Sequence, residues 1–229
     1  MTASSVTPPK KRLFLAVNLS VAVTRKVAEA VDRMRGAARA APGLEVAWVP
    51  PANLHVTLKF LGWTNAEAVL AVRDQLRAGL AGRKGFEIGA RGVGAFPSEQ
   101  AARVLWVGVT DPTGGLARLA ADVEAWMEGI GFPREARPFS AHLTVGRVKQ
   151  GGAAAEAVLA PLAQTDFGSA LVRAVVLYES VTKSTGSEYA AVERVALDVA
   201  PYRAERQTRE VEEESTEPEE PDTHGGQSA

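Results

Sequence analysis

A chain of 229 residues with 46% hydrophobic and 23% charged residues has enough apolar content for one medium globular domain, or two small lobes sharing an interface. No run of about eighteen apolar residues is present, which excludes a membrane-spanning helix, and the absence of cysteine excludes disulfides, thiolate metal sites and cysteine nucleophiles. The net charge of -1 averages two unlike pieces: residues 204–229 hold two arginines against nine acids, while residues 1–203 carry 24 basic against 18 acidic groups.

Residues 1–10 are expected to be flexible, and the first twenty residues lack the layout of a secretory signal, which fits a cytoplasmic enzyme or binding protein. Residues 12–20 predict a buried strand, and 24–40 a helix in which Val27, Val31 and Met34 recur at helical spacing. A short strand over 44–50 and a Pro-Pro-Ala-Asn turn lead into a strand beginning at Asn53. Residues 65–82 predict a helix with Val69, Val72 and Leu76 inward and a glycine stop. Strands follow over 85–96 and 103–111, then a helix over 115–131, a second histidine-bearing strand from Phe139, a short helix within 151–164, and a closing pair of strands over 170–180 and 188–200. The tail from 204 on has too few apolar residues to offset its ordering entropy and is expected to be a disordered, solvated segment, with His224 inert inside it.

The chain has only three histidines, and two of them open the same phrase: His-Val-Thr-Leu at 55–58 and His-Leu-Thr-Val at 142–145. In an extended strand, residues i and i+2 share a face. His55 then lies with Thr57 and His142 with Thr144, while Val56, Leu58, Leu143 and Val145 point into an apolar layer. The histidines are 87 residues apart, close to half the ordered body, and strands and helices alternate in two similar passes. This spacing predicts an internal duplication: two α+β lobes that place equivalent strands against each other in a bilobal single domain over 11–203.

One such phrase would be unremarked; a lone strand histidine is more often structural than catalytic. A pair converging on one cleft suits phosphodiester chemistry, which needs one proton taken from a nucleophile and another given to a leaving oxygen. Threonine hydroxyls can hold non-bridging phosphate oxygens. Metal catalysis is the chemical rival, but neither phrase carries a carboxylate or any third ligand. No cofactor or metal is expected.

The longer phrases "HVTLKF" (55–60) and "HLTVGR" (142–147), with "RLFLAVNLS", "RVLWVGV", "RPFSAHLTVGR" and "LYESVTKSTGSEYAAVERVAL", resemble the two-histidine phosphoesterases. They are similar to the RNA 2',3'-cyclic phosphodiesterase branch, also called LigT-like or 2'-5' RNA ligase, over roughly residues 11–200. The resemblance implies an α+β, bilobal fold of pseudo-duplicated antiparallel sheets flanked by helices with a central cleft. It implies hydrolysis of RNA 2',3'-cyclic phosphate ends to 2'-phosphates, with His55 as proton donor and His142 as proton acceptor. It further implies Thr57 and Thr144 on phosphate oxygens, Arg147 gripping the phosphate and Phe60 stacking on the base. The expected partners are RNA ends or related nucleotides, with no membrane, and the protein is expected to be a monomer. A non-catalytic RNA-end or nucleotide binder, and a phosphodiesterase for a small cyclic nucleotide, remain the alternatives.

Phe60 and Arg147 each follow their histidine by five residues, so a straight strand would turn both away from the cleft. A bulge or strand end must bring them back, and Gly62 and Gly146 offer places for it. Phe14 can line either the cleft or the core, with the core favoured, Arg103 is a weaker candidate for added positive potential, and Trp48, Trp63, Trp106 and Trp126 are expected to be packing residues.

Overall fold

The computed structural model describes residues 10–183 and 186–199. The expectations for residues 1–9 and for the acidic tail with His224 lie outside the described residues. Among these, β1 (Lys11–Val17) leads into α1 (Val21–Ala40), β2 (Glu45–Trp48), β3 (Val56–Thr64), α2 (Ala66–Leu80) and β4 (Phe86–Phe96). Then come β5 (Val104–Thr110), α3 (Gly115–Gly129), β6 (His142–Gln150), α4 (Ala155–Leu159), β7 (Asp166–Val172), β8 (Ala174–Lys183) and β9 (Gly186–Ala196).

The helices form where caps and apolar periodicity coincide. Ser20 Oγ accepts the Val23 N–H at 3.3 Å, and Asn65 Oδ1 accepts the Ala68 N–H at 2.8 Å, so α1 and α2 each satisfy one otherwise orphaned donor. From there α1 buries Val23, Val27, Val31 and Met34, and α2 buries Val69, Val72, Leu76 and Leu80. Each such side chain contributes about 1.5–3 kcal/mol over leaving it in water.

The nine described strands join one curled antiparallel sheet in the order β7-β4-β5-β6-β3-β1-β8-β9, with β2 beside β6. The order reads as two matching halves back to back, β6-β5-β4-β7 against β3-β1-β8-β9. They meet at the centre through a single residue pair, Val56 opposite Leu143. The bilobal expectation therefore takes the form of one sheet pinched at its middle. The halves exchange strands across the sequence: β4 follows the first histidine strand but pairs with β5, and β8 and β9 follow the second but join β1. Helices α2 and α3 back β9 and β3, with α3 also reaching β4, whereas α1 and α4 back β7, β2 and β4.

This exchange corrects one expected element. Residues 170–180 are not one strand: the pairing breaks at Arg173, because Val172 pairs with Phe86 on β4 while Ala174 pairs with Ala196 on β9. The chain changes lobe within three residues, and no periodicity reports that.

Candidate active site

Both histidines stand at the pinch, immediately before the pair that joins β3 to β6. Antiparallel continuation of that pair sets His55 against Thr144 and Thr57 against His142, making the two histidines diagonal neighbours. On a regular ladder such residues lie about 7–8 Å apart with side chains on one face. The motif parity is as the sequence implies: Val56, Leu58, Leu143 and Val145 are buried beneath, and His55, Thr57, His142 and Thr144 are half-buried above.

Each ring is held in the same way. His55 Nδ1 lies 2.7 Å from the Asn53 carbonyl, and His142 Nδ1 lies 2.8 Å from the Ser140 carbonyl. A carbonyl only accepts, so each Nδ1 carries the hydrogen and each Nε2 is the nitrogen left for chemistry. His55 Nε2 is 3.1 Å from Thr57 Oγ1, and a neutral ring there accepts the threonine hydroxyl hydrogen. Burial pushes the His55 pKa down; the Asn53 carbonyl partly opposes this, and the nearby His142 charge adds to the lowering.

The expected bends are present. In β3, Ala16 faces Thr57 and Leu15 faces Lys59, so Leu58 is an extra residue; Phe14 then faces Phe60. In β6, Trp106 faces Thr144 and Leu105 faces Gly146, so Val145 is extra; Val104 then faces Arg147. Each bulge inverts parity once and turns the fifth residue after the histidine onto the histidine's own face. The burial pattern from Val56 to Phe60 repeats from Leu143 to Arg147: buried, half-buried, buried, buried, exposed. Gly146 does mark its bulge, and its missing side chain leaves room for Val46 and Trp48. On β3 the bulge lies at Leu58–Lys59 instead, and Gly62, at φ +69°, belongs to a second bulge around Leu61.

Lys59, which fills the inward place taken by Gly146 in the other strand, is 2% exposed. Its Nζ donates to Glu124 Oε2 on α3 and to the Pro133 carbonyl, each at 2.8 Å. Two hydrogen bonds and a countercharge satisfy an ammonium that would otherwise be costly to bury.

Phe14 is 3% exposed, buried as expected, but outside the main core cluster and against the site. Its ring lies 4.8 Å from His55, 5.3 Å from Tyr178, 5.0 Å from Tyr189 and 6.0 Å from Phe60. On the other lobe Phe96 meets His142 edge-on at 5.1 Å and Trp106 at 5.4 Å. The residues overlooked from sequence are Phe96, Tyr178 and Tyr189, together with Asn18, which donates to the Tyr178 hydroxyl at 2.8 Å. Tyr178 and Tyr189 sit within a phrase that carried the resemblance, but only cross-strand packing brings them to His55. Trp63 is 70% exposed and is not a packing residue. Arg103 is exposed at the foot of β5, one residue before Val104, which faces Arg147. No group of three His, Cys, Asp or Glu side chains able to hold a metal occurs among the described residues, and no helix there is long and apolar enough to cross a membrane.

A family model described as LigT like phosphoesterase matches residues 21–106 and, a second time, residues 107–188. The chain belongs to the LigT like phosphoesterase family. Two successive matches to one family model are what an internal duplication leaves in a sequence. Among LigT like relatives, the RNA 2',3'-cyclic phosphodiesterase of Archaeoglobus fulgidus is 34% identical over 178 residues, 78% of this chain and 96% of that protein. The crystal structure of a Thermus thermophilus protein superposes with a TM-score of 0.66 at 29% identity, covering 81% of this chain and 97% of that one. Escherichia coli LigT complexed with 3'-AMP superposes with a TM-score of 0.62 at 28% identity, covering 82% and 98%.

Proposed function

We propose that this protein is an RNA 2',3'-cyclic phosphodiesterase that opens a cyclic phosphate end to a 2'-phosphate by metal-independent acid–base catalysis. The observation that carries the mechanism is the pair of imidazoles on one face at the pinch, each bonded through Nδ1 to a backbone carbonyl. The relatives named for this activity, and a family structure holding 3'-AMP, support the substrate class.

In the forward reaction His142 Nε2 takes a proton from water, the water oxygen bonds to phosphorus, and the bond from phosphorus to the ribose O3' breaks. His55, protonated on Nε2, delivers its proton to that oxygen, so one proton enters and one leaves the imidazole pair. Burial favours the neutral form of His55 in the empty site. The phosphodiester anion supplies the countercharge that favours the imidazolium, so substrate binding itself loads the acid. Thr57 and Thr144 hold the non-bridging oxygens, Arg147 adds planar charge-assisted donors, and Phe60 stacks on the terminal base.

The same site joins ends when a ribose 5'-hydroxyl replaces water, giving a 2'-5' linkage. The test is a short RNA with a cyclic phosphate end, assayed beside a free cyclic mononucleotide with chelator present. Activity is expected to survive chelation and to vanish in His55→Ala and His142→Ala. Wild-type turnover in either variant would sink the mechanism, loss on chelation would favour a metal, and binding without turnover would make the protein a binder.

A further inference from the structure

We propose that Trp63 and Arg12 form a second nucleotide subsite, which holds the residue immediately 5' of the cyclic phosphate-bearing one and makes single-stranded RNA, rather than a mononucleotide, the preferred substrate. The inference rests on the reading that His55 and His142 act on a cyclic phosphate at an RNA end.

The observation behind it is the second bulge of β3. Phe60 and Trp63 are three residues apart, so an unbroken strand would send them to opposite faces. The bulge at Leu61–Gly62, where Gly62 takes φ +69°, a conformation side chains other than glycine rarely adopt, reverses parity again. Phe60 then faces Phe14, and Trp63 faces Arg12. Phe14 contacts His55, and alternation along β1 puts Arg12 on that same face, opposite the buried Leu13 and Leu15. Two bulges in one nine-residue strand thus bring His55, Thr57, Phe60 and Trp63 into a line on one face.

The two end members are open to solvent: Phe60 is 56% exposed and Trp63 70%. Phe14 and Arg12 are two residues apart on β1, so Phe60 and Trp63 are about 7 Å apart along the strand. Among the described residues no carboxylate pairs with Arg12, which leaves its guanidinium for an anion beside the indole. An aromatic stack with a neighbouring cation is the equipment of a sequence-tolerant single-strand site. The line continues the active cleft, and its positive charge complements a phosphodiester, so an RNA strand fits it better than a protein surface does.

The test compares kcat/KM for cyclic-phosphate mono-, di- and trinucleotides sharing one terminal base. In the wild type the dinucleotide is expected to exceed the mononucleotide on the order of tenfold, and Trp63→Ala to remove most of that ratio. Arg12→Gln is expected to lower the salt dependence of dinucleotide binding by roughly 0.7 in log–log slope. A second arm needs no turnover: a trinucleotide ending in a 2'-phosphate should quench indole fluorescence in the wild type but not in Trp63→Phe. Equal use of mono- and dinucleotide by the wild type, or quenching that persists in Trp63→Phe, overturns the subsite. Self-association in sedimentation that is lost in Trp63→Ala, without RNA quenching, overturns it in favour of a protein contact. If no cyclic phosphate is hydrolysed but the quenching arm behaves as expected, the catalytic reading has failed and the subsite stands.

Discussion

Lys59 and Gly146 occupy the same place in the two histidine strands, each the second of two consecutive inward-facing residues. Where one lobe gives the place to Val46 and Trp48 from β2, the other fills it with an ammonium clamped between Glu124 and the Pro133 carbonyl. The same backbone irregularity is thus held by two different means.

The lysine clamp should behave as a buried ion pair. Lys59→Met leaves Glu124 without its cation and is expected to cost about 3–5 kcal/mol of unfolding free energy. Lys59→Met combined with Glu124→Leu is expected to regain most of that loss, since two apolar groups leave no uncompensated charge. Urea unfolding of the single and double variants checks this; a double variant no more stable than the single one contradicts it.

Gly146→Val is expected to be destabilising by about 1–3 kcal/mol, the usual cost of overpacking. A Cβ at this position would meet Val46 Cγ1 at 2.7 Å. Because Arg147 is the next residue, kcat/KM should fall as well, beyond what loss of folded protein explains. Thermal unfolding beside kinetics on the folded fraction measures both.

Arg147 should not be replaceable by lysine. Its planar fork can make two parallel bonds to a phosphate, and an ammonium is a point charge. Arg147→Ala is expected to lower kcat/KM by about ten- to a hundredfold, the worth of a charge-assisted bond, and Arg147→Lys to restore only part. Full rescue by lysine would show that charge alone is read there.

The pH profile follows from the lowered His55 pKa. If His55 is the acid, as proposed, it must be charged, so kcat/KM, which reports the free enzyme, should fall as pH rises through a value below the ordinary one of about 6.5. In kcat that alkaline limb should lie at higher pH, because bound phosphate favours the imidazolium. Between the lowered folded pKa and about 6.5 the unfolded chain binds more protons than the folded one. Stability contributed by neutral His55 is therefore complete above about 6.5 and lost as pH falls through the folded value. Urea midpoints across that window should show a slope that His55→Gln reduces.

Whatever depends on neighbours along the chain could be read from the residues in order. Alternation in each His-apolar-Thr-apolar phrase set which residues are buried, helical spacing set the inward faces of α1 and α2, and repetition of the phrase announced two lobes. The five-residue interval to Phe60 and Arg147 even required a bend. Where the bends fall, however, is a matter of register against β1 and β5, and register belongs to partners distant in sequence. The burial of Lys59, the change of lobe at Arg173 and the gathering of Phe14, Tyr178 and Tyr189 around His55 were likewise decided only in three dimensions. A hydrophobic pattern states which side of a strand avoids water, but which strand lies alongside it is settled by the free energy of the assembled sheet.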